Sequence, residues 1–263
     1  MAGSITLERS EGDGVAFLTL SNPGKLNAID IAMWRELHAL MLHLQALPPE
    51  DAPHAVIVRG AAGQFASGGD IVEFASFRFE EHSLRDFHEN VVAPALHALL
   101  DCDIPLYAQI EGACIGGGLE IAACCDIRIC GEGSRFGAPI ARLGFPMAPL
   151  EIDVVARLAS EPLLREMLLE ARLLTAAAAL QHGLVHAVVP DAEVAVLTLR
   201  RAQALAVLSP QAARINKRTL RQFSTGGPTD AQREAHYAYA DSHEHREGVT
   251  AFIEKRTPKF QRG

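Results

Sequence analysis

The 263-residue chain contains no run of eighteen apolar residues, which excludes a transmembrane helix. Its opening stretch, Met1 to Gly14, carries acidic residues where a signal peptide would have an apolar core, so a soluble, cytoplasmic protein is expected. Positive charge is also short. Lys and Arg number 24 against 32 Asp and Glu, a net charge of −8, which argues against general affinity for nucleic acid or an anionic membrane. Any anionic ligand must then be met by a few placed groups. Cysteine is sparse and odd in number: Cys102, Cys114, Cys124, Cys125 and Cys130 lie among Ile, Ala and Leu with no C-x-x-C pair. They read as buried free thiols rather than zinc ligands or disulfides. No glycine-rich segment closes with Gly-Lys-Ser/Thr, and none gives the dinucleotide fingerprint, which argues against a nucleotide cofactor.

Apolar residues make up 49% and charged residues 21%, enough to bury a sizeable core without disulfides or metal. The length fits one large domain, or one domain with a smaller appendage. Residues 5–8, 15–20, 55–59, 106–110 and 127–130 have strand composition bounded by Gly, Pro or Asp, while 29–47 and 84–100 space apolar residues as helices do. The expected fold class is α/β. Pro48, Pro49 and Pro53 mark a connector between a helix and the next strand. From about Ser160 the strand signals thin to one, at 185–189, and Ala/Leu/Arg-rich helical patterns run through Phe260. The chain therefore divides into an α/β core at 1–195 and a helical region at 196–263, whose apolar faces need cover from the chain's own body or a neighbouring subunit. Gly226 to Asp230 reads as a turn and helix start, capped by Thr229 or Asp230.

Chemistry concentrates in two glycine-rich segments, Gly63 to Asp70 and Gly112 to Glu120, each expected to follow a strand and open a helix. Free amides at a helix start favour negative charge. Two of them aimed at one point make an oxyanion hole, in which losing one donor costs on the order of 3 kcal/mol. Taken singly, each run reads equally well as a turn or a close helix contact. Glu120 lies three residues after Gly117 and projects on the same side, where a carboxylate could take or return a proton alpha to a thioester. A plain complement to the helix N-terminus is the competing reading. Ser67 lacks the first glycine of the G-x-S-x-G elbow, which disfavours a serine hydrolase. The residues Asp241-Ser242-His243-Glu244-His245 splay around a helix, so they read as a solvated face and no metal site is expected. Phe74, Phe77 and Phe79 either shape a pocket or pack in the core.

These residues resemble those of the crotonase family, the enoyl-CoA hydratase/isomerase superfamily, along nearly the whole chain. Ser21-Asn22-Pro23-Gly24-Lys25-Leu26-Asn27-Ala28 resembles the loop that cradles coenzyme A, with Lys25 in its basic position. Phe65-Ala66-Ser67-Gly68-Gly69-Asp70-Ile71 and Ile115-Gly116-Gly117-Gly118-Leu119-Glu120 resemble the two oxyanion segments. The stretch from Glu247 to Phe260 resembles the terminal signature, in which an aromatic and a lysine, here Phe252 and Lys255, help bind coenzyme A across a subunit boundary. The resemblance implies a crotonase-like spiral of repeated ββα units with a C-terminal helical trimerisation region, assembled as a homotrimer or a dimer of trimers. It further implies catalytic roles for Glu120 and for the amides of Gly69 and Gly117. Lys25, Ala28, Ala66, Gly68, Asp70, Ile71, Gly116, Pro139, Ile140, Phe252 and Lys255 would bind an acyl-CoA. Coenzyme A would enter as part of the substrate, with no permanently bound cofactor.

One departure bears on the reaction. Hydratases of this family carry a second glutamate after a Phe-Gly-x-Pro segment, and here that segment reads Phe136-Gly137-Ala138-Pro139-Ile140. Isoleucine moves no proton, so ordinary hydration is expected to be slowed by ~10²–10⁴. The leading expectation is a hydratase/isomerase-like enzyme using Glu120 as its single acid/base. Behind it come a thioester hydrolase, C–C hydrolase or decarboxylase running the same enolate chemistry, and a noncatalytic acyl-CoA binder. Arg142, Glu151 and Asp153 are expected to be surface charges near a helix start, with a substitute polar group as the alternative.

Overall fold

The computed structural model describes residues 2–10 and 12–260. Strands β1 (Ser4–Arg9) and β2 (Val15–Ser21) form an antiparallel pair. Beyond β2 the sheet continues in parallel through β3 (Ala55–Gly60), β4 (Leu106–Ile110), β6 (Ile127–Gly131) and β9 (Ala187–Val189), in the order β1-β2-β3-β4-β6-β9. A second sheet joins β5 (Ala113–Ile115), β7 (Arg135–Gly137) and β8 (Leu174–Thr175). The expected α/β class is the fold observed.

The central strands are apolar on both faces because both faces are covered, as parallel sheets require. Alternation divides them cleanly. Ala16, Leu18, Val56, Val58, Leu106 and Ala108 face the main core, while Val15, Ala55, Ile57 and Tyr107 face the other side. The main core is filled by α1 (Ile31–Ala46), through Met33, Trp34, Leu37 and Met41, and by α4 (Ala93–Asp101), through Leu96 and Leu99. Full burial of each such side chain contributes roughly 2 kcal/mol. Asp30 starts α1 by accepting from the Met33 amide at 2.8 Å.

Short helices link these layers: α2 (Ile71–Phe74) and α3 (Glu81–Asp86) before α4, then α5 (Gly117–Cys124), α6 (Pro149–Ala156), α7 (Glu161–Leu169) and α8 (Ala176–Gln181). Between α3 and α4 the helix widens into a π turn, Phe87–Val92, so the single helix expected at 84–100 is two α-helical segments joined through a π turn. Helix α9 (Val194–Ala206) begins before the expected division at 195 and 196, and its Ala202 and Ala206 cover the second face of the main sheet. Helices α10 (Pro210–Phe223), α11 (Asp230–His236) and α12 (His243–Ile253) follow. Thr229 caps α11 in a reciprocal capping box with Gln232. Glu244 of the 241–245 stretch accepts from the Gln211 amide at 3.0 Å and so ties α12 to the start of α10. Among the described residues no helix is long and apolar enough to cross a membrane.

All five cysteines are buried free thiols. Burial pushes the Cys125 and Cys130 thiols up to about 12, and Cys102, Cys114 and Cys124 in the same direction. The native protein should therefore release little or no chromophore from a thiol-exchange reagent at pH 8, and five equivalents once denatured. Rapid labelling of the native form would contradict this burial.

Candidate active site

Backbone pairing brings the two glycine segments together. The Phe65 amide donates to Glu111 O at 2.7 Å, Ala66 to Ala113 O at 2.8 Å, and Ile115 back to Ala66 O at 3.0 Å. A second bridge joins the entry of α1, with the Ile29 amide on Gly68 O at 2.7 Å and the Asp70 amide on Ile29 O at 2.9 Å. The two segments turn sharply at Gly68, with φ of +109°, and at Gly116, with φ of +50°, conformations in which a side chain would be strained. A Cβ on Gly116 would lie 3.6 Å from the Gly68 Cα, and one on Gly118 only 2.6 Å from Ala66 O, so the first turn of α5 is seated directly on the other loop.

Two amides remain outside these ladders. Among the described residues, Gly69 N and Gly117 N meet no acceptor, and both residues line a cavity of about 270 Å³. Glu120, one turn into α5 and 5% exposed, lines the same cavity. Burial holds its carboxyl well above the usual carboxylate range, the charge of Glu151 adds to this, and Arg78 opposes it. Trp34 from α1, Phe74 from the end of α2, and Phe145 supply aromatic wall. The Arg78 guanidinium lies against Phe74 and Phe145, 4.1 and 3.8 Å from their ring centres. Its own pKa is lowered, chiefly by burial.

The cavity gathers Gly68, Gly69, Ile71, Gly116, Gly117, Glu120, Pro139 and Ile140 from the residues singled out in the sequence. Lys25 pairs with Asp70, which sits between the lining residues Gly69 and Ile71 and also accepts from the Val72 amide to start α2. That bond raises the Lys25 pKa. Ala28 is buried behind the loop, its carbonyl accepting from Asn22 Nδ2 at 2.7 Å. Ala66 is fully buried, and it serves the site through its backbone bridge. Phe252, 86% exposed on α12, and Lys255 beyond it are not among the residues around this cavity. Of the three phenylalanines, Phe74 lines the cavity, Phe77 stacks on Phe87 at 4.2 Å in the core, and Phe79 is exposed.

One expectation needs correction. Glu151 is not a surface charge: it is 4% exposed, because the first turn of α6 points it into the cavity, where its Oε1 lies 2.5 Å from His88 Nδ1. Arg142 also lines the cavity and donates to Ala171 O at 3.0 Å. Asp153 is exposed and pairs with Arg157. The sequence reading overlooked His88 and Arg78 altogether. His88 sits in the π turn, where a 3.6-residue period misplaces it, and Arg78 follows the short helix α2 with no motif around it. Among the described residues, no group of three His, Cys, Asp or Glu side chains could hold a metal ion.

A sequence profile of the enoyl-CoA hydratase/isomerase family matches residues 10–263. A probable enoyl-CoA hydratase of Mycobacterium bovis is 30% identical, with 98% of this chain and 97% of that protein covered. The 2,3-dehydroadipyl-CoA hydratase of Escherichia coli is 31% identical over 94% of this chain and 95% of its own. A crystal structure of an enoyl-CoA hydratase/carnithine racemase from Magnetospirillum magneticum superposes with a TM-score of 0.93 at 33% identity, covering 100% of this chain and 97% of that one.

The raised Glu120 pKa has a thermodynamic consequence. With its folded value above the ordinary 4.5, this group favours the folded state below pH 4.5, and that contribution is lost as the pH climbs toward the raised value. Glu120→Gln removes the ionisation, so in urea unfolding the variant should gain on the wild type progressively above pH 4.5. A difference that stays constant with pH would count against a buried, protonated Glu120.

Proposed function

The chain belongs to the enoyl-CoA hydratase/isomerase family, and on that premise we propose that it acts on an acyl-CoA thioester through an enolate, with Glu120 moving the proton at the alpha carbon. The observation that carries this reading is the convergence of the free Gly69 and Gly117 amides and the Glu120 carboxyl on one cavity. Charge that develops on a thioester oxygen held between the two amides would be stabilised by fixed dipoles, each worth on the order of 3 kcal/mol. A Glu120 held protonated by burial suits a donor that returns a proton to the enolate carbon.

Coenzyme A enters as part of the substrate, and no permanently bound cofactor is invoked. Lys25 pairs with Asp70 of the first oxyanion segment, which keeps its ammonium group oriented there. The acyl chain would lie against Trp34, Phe74, Phe145 and Ile140, with the polar groups gathered where carbon changes hybridisation. For the assembly we take the spiral of ββα units closed by a helical trimerisation region, as a homotrimer or a dimer of trimers. Exposed apolar side chains on the C-terminal helices, among them Leu220, Phe223, Phe252 and Ile253, support a covered face there. In such an assembly Phe252 and Lys255 would serve a neighbour's coenzyme A rather than their own chain's.

Incubation with a panel of acyl-CoA esters in deuterated water should place deuterium at the alpha carbon. Glu120→Gln should lower that exchange by about 100-fold or more while acyl-CoA affinity stays within a few fold. Unchanged turnover in the variant would end the assignment. Light scattering should give a particle of three or six times 28.3 kDa, and a stable 28.3 kDa monomer would remove the trimer.

A further inference from the structure

Glu120 is not alone in the cavity. Glu151 lines it from α6, nearly fully buried, and among the described residues its only hydrogen-bond partner is His88, which meets Oε1 at 2.5 Å. The second oxygen, Oε2, has no partner among the described residues and is not sealed from the cavity. His88 is itself mostly buried, its side chain 15% exposed, and it lines the same cavity from the π turn. Ile140 lines that cavity too, packed on the core.

A carboxylate taken this far from water is costly unless it is paired, and a purely structural pair has no reason to face a substrate cavity. We propose that Glu151, held by His88, is the second acid/base group of this site, replacing the carboxylate that Ile140 cannot supply and handling the proton of water added at the beta carbon. This rests on the enolate reading above and deepens it to hydration of a 2-enoyl-CoA. As the water oxygen bonds the beta carbon, one water proton passes to Glu151. The double-bond electrons move onto the thioester as an enolate, its oxygen between the Gly69 and Gly117 amides. Protonated Glu120 then gives its proton to the alpha carbon, and the two carboxyls reset by exchanging one proton with solvent. His88 is a positioning residue: it fixes one oxygen of Glu151 and leaves the other to water.

The titratable and charged groups that line the cavity with Glu151 are Glu120 from α5, His88 from the π turn, Arg78 after α2 and Arg142 ahead of α6. Arg78 is close enough to both carboxyls to be felt by each, and it lowers the Glu120 pKa against the effect of burial.

The test uses the full-length protein and a panel of 2-enoyl-CoA thioesters, following loss of the conjugated thioester absorbance, with alpha-deuterium exchange of the saturated esters measured in parallel. Glu151→Gln should lose hydration by about 100-fold or more in kcat, and the ratio of hydration to exchange should fall by about 10-fold or more, because exchange adds no water. His88→Gln should fold, keep KM within a few fold, lose about 10-fold or more in kcat, and shift the acidic limb of the kcat profile. Hydration unchanged in Glu151→Gln overturns the proposal. Should Glu151→Gln fail to fold, a His88→Gln variant with unaltered kcat and pH profile overturns it instead. Wild-type exchange without any hydration overturns the Glu151 role and leaves the enolate reading standing, whereas neither exchange nor hydration in the wild type removes both.

Discussion

Two single-residue backbone bridges, Ile29 with Gly69 and Ala66 with Cys114, are the constraint on which the rest of the site depends. The first commits the Asp70 amide and leaves Gly69 N uncommitted, and the second seats the loop ahead of α5, whose first amide, Gly117 N, has no intrahelical partner. The site's electrophilic groups are thus a by-product of how the loops are tied down and of where α5 begins. Preorganised dipoles of this kind cost nothing to reorient during a reaction. Side chains could not be placed this tightly: Gly118 permits contact at a distance where any Cβ would collide with Ala66 O.

Around that backbone frame the cavity concentrates charge that a core of this apolarity would normally reject. Glu120, Glu151, Arg78 and Arg142 are all drawn into a space of about 270 Å³. What makes this tolerable is division of labour. Burial raises the Glu120 pKa, Glu151 finds His88, Arg142 finds a carbonyl, and Arg78 rests against aromatic faces. Each group is accommodated by a different means, yet the charges of Glu151 and Arg78 both act on Glu120, so the chamber titrates as a linked set.

How far this was legible in the sequence follows from the range of the interactions. The strands at 15–20, 55–59 and 106–110 were readable because apolar composition bounded by breakers is a local signal, and the structure places them within a residue or so. The two glycine segments were readable because positive φ and close approach select a residue type on the spot, as at Gly68 and Gly116. Glu151 was readable only as one of three candidate polar groups, beside Arg142 and Asp153, and not as the buried one. Its burial depends on where α6 sits relative to α5, and nothing within a few residues of it reports that packing. His88 was hidden for a different reason: the π turn breaks the period by which its face would be judged.

The π turn also separates two jobs that a regular helix would have coupled. One extra residue in a turn shifts everything on one side of it by roughly 100° relative to the other. Downstream, α4 keeps Leu96 and Leu99 in phase with the core, while the turn itself presents an imidazole to the chamber. The aim of that imidazole can therefore change by insertion or loss of a single residue without unseating the helix that carries it. In evolutionary terms the reacting end of this rod is free to be retuned while its anchored end stays fixed.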